Sequence, residues 1–217
     1  RSIKAVEASM NRGQEIFLVT QRDIEVDYPR LSDLYEIGII AEIKQVIKLQ
    51  NNIVRILAEG KSRARIFGFG ECEAFLEADI ETVEEVEEIL PDVVQSAMKK
   101  SICENYTRYA RLHGKIAPDV LKNISQQQDL GKLLNYTANN FPIGYADKQR
   151  ILEADILSER YEVLLALLFR EIDVLAVQKD FQEKVKQAKE FFENGDSLSA
   201  SLQKTHIFTG TYARLLS

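Results

Sequence analysis

The spacing of apolar residues divides the chain into a β-rich first half and a helical second half. Apolar residues recur every three or four positions from Ser2 to Met10, which predicts a short opening helix. The run from Glu15 to Gln21 is short and apolar, so it is predicted to be a buried strand in a central or parallel position. Two longer β-rich runs, Ile37 to Leu49 and Ile53 to Glu59, flank a polar segment with two asparagines that suits a tight hairpin.

The β pattern continues beyond this hairpin. Gly60 is predicted to turn the chain into a strand from Arg63 to Phe69, and a further strand is expected from Cys72 to Ile80. A slip in the alternation near Val46 predicts a bulge. Residues 1–82 are therefore expected to form a small, mostly antiparallel β unit with one short helix.

After Pro91 the periodicity becomes helical and remains so. The last predicted helix is much longer than the others, at about 55 Å for 1.5 Å per residue. Its apolar stripe is followed by charged residues, so its far end is expected to project into solvent. The predicted helices run from Asp92 to Leu112, Pro118 to Ser125, Leu130 to Asn139, Asp147 to Ala154 and Ile156 to Phe192.

An acidic stretch separates the two halves. Ten acidic residues and no lysine or arginine occur between Glu71 and Asp92. Because like charges repel along such a run, residues 83–91 are interpreted as a solvated linker. Residues 92–193 are then the helical bundle, and residues 194–217, which are rich in serine and threonine, form an irregular tail to which no role is assigned.

The overall charge argues against two classes of partner. The chain has 217 residues, a formal net charge of −6 and a pI near 5.2. It therefore lacks an overall positive field for nucleic acid or an anionic membrane. Charged residues interrupt every apolar stretch well short of the run of about 20 residues that a membrane span needs. The chain is expected to be cytoplasmic, because no signal peptide is recognised.

Residue patterns that would indicate catalysis or a cofactor are not found in the sequence. Gly60-Lys61-Ser62 lacks the earlier glycine of a phosphate-binding loop. The two histidines have no second ligand at helical spacing, so no metal site is expected. No Ser-His-Asp or Cys-His set is indicated either. The chain is interpreted as a binding module without a catalytic residue.

Several strand segments resemble a known family. The sequence from Asp33 to Gly38, Gln45 to Leu49, Val54 to Leu57 and Arg63 to Ile66 is similar to the amino-terminal domain of Lon proteases. The segment from Asp147 to Glu153 resembles the helical half of that domain. The resemblance extends over roughly residues 1 to 190.

The resemblance implies an α+β fold in which a PUA-like antiparallel β pseudo-barrel precedes an α-helical bundle that ends in a long helix. It also implies that the chain recognises unfolded or degron-bearing proteins and helps to organise a homo-oligomer. ATP and Mg²⁺ would be used only by an ATPase region, and peptide cleavage by a Ser-Lys peptidase. Neither the Walker motifs nor that peptidase is present in these 217 residues, so the chain alone is expected to bind no cofactor and to catalyse no reaction.

Three aromatic residues of the β unit are candidates for contact with protein substrates: Phe67, Phe69 and Phe75. They could bind exposed hydrophobic segments, or they could simply pack in the core, since alternation alone does not show which face of a strand is covered. The alternative function is RNA binding, because PUA-like folds serve several functions. Steep weakening by salt would distinguish RNA binding from apolar client binding.

A further alternative makes the chain chiefly an assembly element. The apolar stripe of the long helix continues into Phe181, Val185 and Phe192, which could face a partner helix. In that case the chain would associate in a concentration-dependent way.

Overall fold

The computed structural model describes residues 2–49, 53–70, 74–84 and 86–193, with side chains described as far as residue 190. The fold is α+β: a helix and an antiparallel sheet come first, and a helical bundle follows. The sheet has the order β1-β2-β3-β4 within these residues. The elements of the first half are α1 (Ser2–Asn11), β1 (Glu15–Leu18), β2 (Ile37–Lys48), β3 (Val54–Phe69) and β4 (Ala78–Thr82), with a short 3-10 helix at Leu31–Asp33.

Two features of the sheet differ from the sequence prediction. The strand that begins at Glu15 lies at an edge of the described sheet and is antiparallel to β2, so its predicted central or parallel position is wrong. Gly60 does not turn the chain, because it pairs with Ala41 inside β3. The two strands predicted on either side of Gly60 are one continuous strand. The strand is continuous because its neighbour β2 is long enough to pair with the segments of β3 on both sides of Gly60.

Other strand boundaries shift by a few residues. The bulge predicted near Val46 is present at Lys44, which has no partner between the pairs on either side of it. Two further irregularities lie on β3, where Lys61 is an extra residue opposite Ile40 and Ala41 of β2 and Phe67 is an extra residue between Ile66 and Gly68. The last strand begins at Ala78, later than predicted, and the predicted start at Cys72 lies outside the described residues.

The five predicted helices of the second half are all present, within a few residues of their expected ends. Local signals account for this agreement. The side chain of Asp129 accepts a hydrogen bond from the Lys132 backbone N–H at 2.7 Å and caps the helix that begins at Leu130. Gly114 ends the helix that begins at Asp92, with φ of 73°, a conformation that favours glycine. The helices are α2 (Asp92–His113), α3 (Pro118–Gln126), α4 (Leu130–Asn139), α5 (Tyr145–Glu153) and α6 (Leu157–Glu193).

The helical half has an extensive apolar core of its own. Tyr109 packs edge-on against Phe141 with 4.9 Å between ring centroids, and the Tyr106 hydroxyl donates to the Asn140 carbonyl at 2.7 Å. Burial raises the pKa of Tyr106 to about 12. The core is built from residues that lie on all five helices and in the loop before α5: Ile102, Tyr106, Tyr109, Ile124, Leu130, Leu133, Leu134, Phe141, Ile151, Leu164, Leu167, Leu168 and Ile172.

Charged side chains fix the position of α6. Both carboxylate oxygens of Glu88 accept hydrogen bonds from Ser158 at the first turn of α6, from the backbone N–H at 2.8 Å and from the hydroxyl at 2.7 Å. Asp147 on α5 accepts from Arg170 on α6 at 2.7 Å, and this arginine lowers the pKa of the Asp147 carboxyl. Beyond Leu175 almost every described side chain of α6 is exposed, so the helix continues past the core as predicted.

Candidate functional site

An apolar groove lies between α1, β1 and the far end of β3. Its volume is about 600 Å³. The Ser9 hydroxyl of α1 donates to the Glu15 carbonyl at 2.7 Å, which holds α1 against the start of β1. Polar residues such as Arg12 and Glu77, which form an ion pair at 3.7 Å, stand at its rim. Its apolar lining includes Val6, Ile16, Phe17, Ile66, Phe69 and Phe75.

The three phenylalanines proposed from the sequence are not equivalent. Phe69 and Phe75 are partly buried and line the groove. Phe67 is 62% exposed and does not line it. The irregularity at Phe67 explains the difference, because an extra residue breaks the two-residue alternation that would otherwise place Phe67 and Phe69 on one face.

Gly38 allows the strands beneath the groove to pack closely. A Cβ atom added there would lie 2.4 Å from the carbonyl oxygen of Leu18 and 2.6 Å from the ring of Phe17. Neither contact is sterically possible without movement of β1. The absence of a side chain at Gly38 therefore determines where Phe17 lies in the groove.

A second cleft, of about 700 Å³, separates the sheet from the helical half. Its sheet wall is formed by residues of β2 and β3, and its helical wall by residues of α4, α5 and α6. Four basic residues line it, namely Lys61, Arg63, Lys148 and Arg160. None of the described lining residues is an aspartate or a glutamate.

Arg63 crosses between the two walls of this cleft. It belongs to β3, and its guanidinium donates to the carbonyls of Leu152 at 3.1 Å and Ala154 at 2.9 Å. A weaker contact of 3.4 Å joins it to the carboxylate of Asp155. The Arg63 side chain is only 8% exposed, and its Nε has no hydrogen-bond partner within the described residues.

Two further hydrogen bonds join the first half of the chain to α5, one at a sheet strand and one at the loop after β1. The buried side chain of Gln149 donates to the Ile37 carbonyl at 2.8 Å, and the Tyr145 hydroxyl donates to the Arg22 carbonyl at 3.1 Å. The contact between the two halves thus depends on directional hydrogen bonds that position the cleft walls.

At the mouth of the cleft, Lys61 pairs with Glu42. Glu42 also pairs with Lys44. The hydrogen bonds from these two ammonium groups lower the pKa of the Glu42 carboxyl to about 2, and the bond from Lys44 has the larger effect. The carboxylate is therefore ionised throughout the neutral range. The Glu42 partner of Lys61 belongs to β2 and does not itself line the cleft.

The far part of α6 presents an apolar stripe to solvent. Phe181 is 61% exposed, and Val185 is also exposed. Val174 and Val177, which the sequence interpretation did not name, extend the stripe toward the bundle at helical spacing. Phe192 lies within α6, but its side chain is outside the described residues.

The described residues also show what the site lacks. No three or more of their histidine, cysteine, aspartate or glutamate side chains are grouped so that they could hold a metal ion. No helix in these parts of the chain combines the length and apolar character needed to cross a membrane.

Comparison with known proteins identifies the family. The model of the ATP-dependent protease La (LON) substrate-binding domain matches residues 1–170. The Lon protease of Heliobacterium modesticaldum is 33% identical over 193 residues, covering 88% of this chain and 23% of that protein. The Lon protease of Escherichia coli K12 is 33% identical over 190 residues, again 88% of this chain but 24% of that protein. The chain thus spans about a quarter of the length of these relatives.

The fold comparison agrees with this assignment. The N-terminal domain of the Mycobacterium avium complex Lon protease superposes with a TM-score of 0.54 at 21% identity, over 76% of this chain and 82% of that domain. The α+β architecture with a long last helix, which the sequence resemblance implied, is confirmed. The chain belongs to the family of ATP-dependent protease La (LON) substrate-binding domains.

Proposed function

We propose that the chain binds unfolded or degron-bearing proteins in the apolar groove between α1 and the sheet, as the recognition part of a Lon-type ATP-dependent protease. The observation that carries the proposal is the pair Phe69 and Phe75 in a groove with a polar rim, in a domain whose family is described as substrate-binding. Apolar grooves with polar rims are typical of surfaces that bind protein segments.

The size of the groove sets the expected strength of binding. Burial of one large apolar side chain contributes about 1.5–3 kcal/mol. A groove of about 600 Å³ has room for a few such side chains, and the ordering of a flexible client opposes their contribution. Binding to the isolated chain is therefore expected to be weak and to depend on whether a client exposes apolar residues.

In this proposal the chain contributes binding alone. ATP hydrolysis and peptide cleavage are assigned to other parts of a Lon-type protease, since this chain spans about a quarter of the length of the relatives that carry that name. The cytoplasmic location expected from the sequence belongs to the same proposal.

The test is a fluorescence-anisotropy titration of the chain into a labelled, permanently unfolded polypeptide, with the folded form of the same polypeptide as a control. Phe75→Ala should weaken binding about fivefold or more, because it removes apolar surface from the groove. Phe67→Ala is the matched control, since the same substitution falls on an exposed residue outside the groove.

Different outcomes would reject different parts of the proposal. Saturable binding that tolerates salt and fails only in Phe75→Ala supports the groove. Equal loss in both variants would move the site elsewhere on the β unit. No binding of the unfolded polypeptide would reject substrate recognition, and salt-sensitive binding of RNA alone would favour the alternative function.

A second candidate function is self-association through α6. Exposed Val177, Phe181 and Val185 recur every four residues on a helix that continues past its own core, and such a stripe is stabilised when another helix covers it. Light scattering over a range of concentrations tests this idea. Phe181→Glu with Val185→Glu should abolish association, whereas Gln182→Glu with Gln187→Glu, which lie outside the stripe, should not.

A further inference from the structure

The cleft between the sheet and the helical half is lined by basic side chains, one of which, Lys148, forms no ion pair with a described carboxylate. Its four basic residues come from three elements, two from β3 and one each from α5 and α6, and no acidic residue is found among its described lining residues. This contrasts with the chain as a whole, whose net charge is −6. A concave surface of one sign concentrates ligands of the opposite sign.

The partners of these basic residues show where the charge is available. Lys61 pairs with Glu42, which does not line the cleft. Arg63 is held mainly by backbone carbonyls and contacts the Asp155 carboxylate at 3.4 Å, while its buried Nε has no partner among the described residues. Lys148 is partly buried, and its ammonium donates to the Asn139 carbonyl at 3.3 Å. Lys148 has no ion pair within the described residues, so it is the cation best placed to meet a ligand carboxylate.

Two amide side chains lie beside this charge. Asn135 and Asn139 are four residues apart on α4, so they share one face of the helix, and both line the cleft. An amide side chain carries both donors and an acceptor, which match the N–H and C=O groups of an extended peptide. The side chain of Asn139 makes no hydrogen bond in the described parts of the chain and is exposed.

We propose that this cleft binds an acidic segment of extended polypeptide, with Lys148 facing a carboxylate and Asn135 and Asn139 facing the peptide backbone. The inference rests on the proposed function and narrows it, because it selects clients in which Asp or Glu accompanies the apolar residues bound in the groove. Arg63 adds to the positive field from within the opposite wall.

A peptide fits these features better than a nucleic acid. Nucleic-acid sites combine an extended basic surface with stacking aromatic residues. Among the described residues of this cleft, Tyr145 is the sole aromatic side chain, and it already donates to the Arg22 carbonyl. Acidic groups outside the cleft would also repel a long polyanion more strongly than a peptide with one or two carboxylates.

The experiment compares two labelled peptides of equal length that differ only in charge. One contains Asp and Glu among apolar residues, and the other has Asn and Gln at the same positions. The wild-type chain should bind the acidic peptide about tenfold more tightly at low salt, because one partly desolvated ion pair distinguishes the two. Moderate salt should reduce that preference.

Charge reversal at one wall locates the effect. Lys148→Glu should weaken the acidic peptide about tenfold or more and leave the neutral peptide unchanged, because it replaces an attraction with a repulsion. Lys122→Glu is the matched control, since Lys122 is exposed on α3 and does not line the cleft. Asn139→Ala should weaken both peptides, because the peptide backbone is common to both. Thermal unfolding by circular dichroism would verify that all variants fold.

The outcomes separate this inference from the function on which it rests. If the two peptides bind wild type equally, or if Lys148→Glu and Lys122→Glu behave alike, the cleft assignment is wrong while substrate binding in the groove stands. If neither peptide binds, both proposals are rejected. If single-stranded RNA or inorganic polyphosphate binds more tightly than the acidic peptide and Lys148→Glu abolishes that binding, the cleft is a phosphate site and the peptide assignment fails.

Discussion

Replacement of Arg63 tests whether hydrogen bonds hold the two halves of the molecule together. Arg63→Met keeps most of the length of the side chain but removes both hydrogen bonds to the carbonyls of Leu152 and Ala154. Hydrogen bonds from a charged donor contribute about 1.5–3 kcal/mol each. The contact to Asp155 adds little, because that carboxylate is 55% exposed and lies at 3.4 Å.

The gain from no longer burying a guanidinium offsets part of this loss. We therefore expect Arg63→Met to lower the free energy of unfolding by about 3 kcal/mol, and Arg63→Lys to lower it by about half as much, since an ammonium can still donate to a carbonyl. Urea unfolding followed by circular dichroism measures both. The slope of the transition should also fall in Arg63→Met if the two halves then unfold separately.

Arg65→Met provides the control. Arg65 lies on the same strand, two positions further along, and is exposed, so the same substitution should change stability by no more than about 0.5 kcal/mol. A change at Arg63 as small as that at Arg65 would refute the reasoning, because it would mean that the buried hydrogen bonds contribute no net stability.

Three other perturbations have defined outcomes. Gly38→Ala should destabilise the sheet by about 2 kcal/mol in urea unfolding, because the new methyl group overlaps a backbone carbonyl. Glu88→Ala should cost about 1–2 kcal/mol in the same measurement by removing the cap at Ser158, whereas Glu87→Ala, an exposed neighbour, should cost almost nothing. Asp147→Asn should lower stability by about 0.5–1 kcal/mol at neutral pH. Because the folded pKa of Asp147 is depressed, that difference should begin to shrink as the pH falls past the ordinary value of 3.8 and should be lost once the pH is below the depressed folded pKa; its persistence in still stronger acid would contradict the assigned ion pair.

The helices could be predicted closely because the information that defines them is local. Apolar spacing, the cap at Asp129, the proline at the start of α3 and the glycine after α2 all lie within a few residues of the structure that they specify. The strands depend more on their partners. Glycine is common in turns, yet Gly60 lies inside β3 because the long strand β2 pairs with the segments of β3 before and after it.

The candidate site was harder still to predict, because it depends on strand pairing and on residues that are distant in the sequence. Sequence reasoning proposed three phenylalanines, and the structure brings two of them into one groove because a bulge separates Phe67 from Phe69. No residue pattern announces that bulge. The basic cleft was not predicted at all, because residues far apart in the chain form it: Arg63 and Ala154, for example, are separated by 91 positions. Counting charge over the whole chain gave an acidic protein and concealed a local basic surface.

Most of the described part of the acidic stretch before α2 is solvated, as its composition predicts, but one of its residues has a structural role. Most of its described side chains are exposed, as expected of mutually repelling carboxylates. Glu88 is different, because both of its oxygens are bound at the first turn of α6. A negative charge at this position also interacts favourably with the positive end of the helix dipole. The stretch therefore helps to fix the longest helix of the molecule.

The way in which the two halves meet connects stability with the proposed binding. Arg63 and Gln149 both join the halves and line the cleft, so the residues that position its walls are also part of its surface. Hydrogen bonds of this kind are directional, and a small rotation of one half would break them and change the spacing of the walls. A peptide that contacts Lys148 on one wall and is attracted electrostatically by Arg63 on the other would bind only when the walls are correctly spaced. By linkage, such a peptide should stabilise the folded chain against urea, by about 2.7 kcal/mol at one hundred times its dissociation constant. Arg63→Met should reduce the affinity for the acidic peptide even if the isolated halves remain folded.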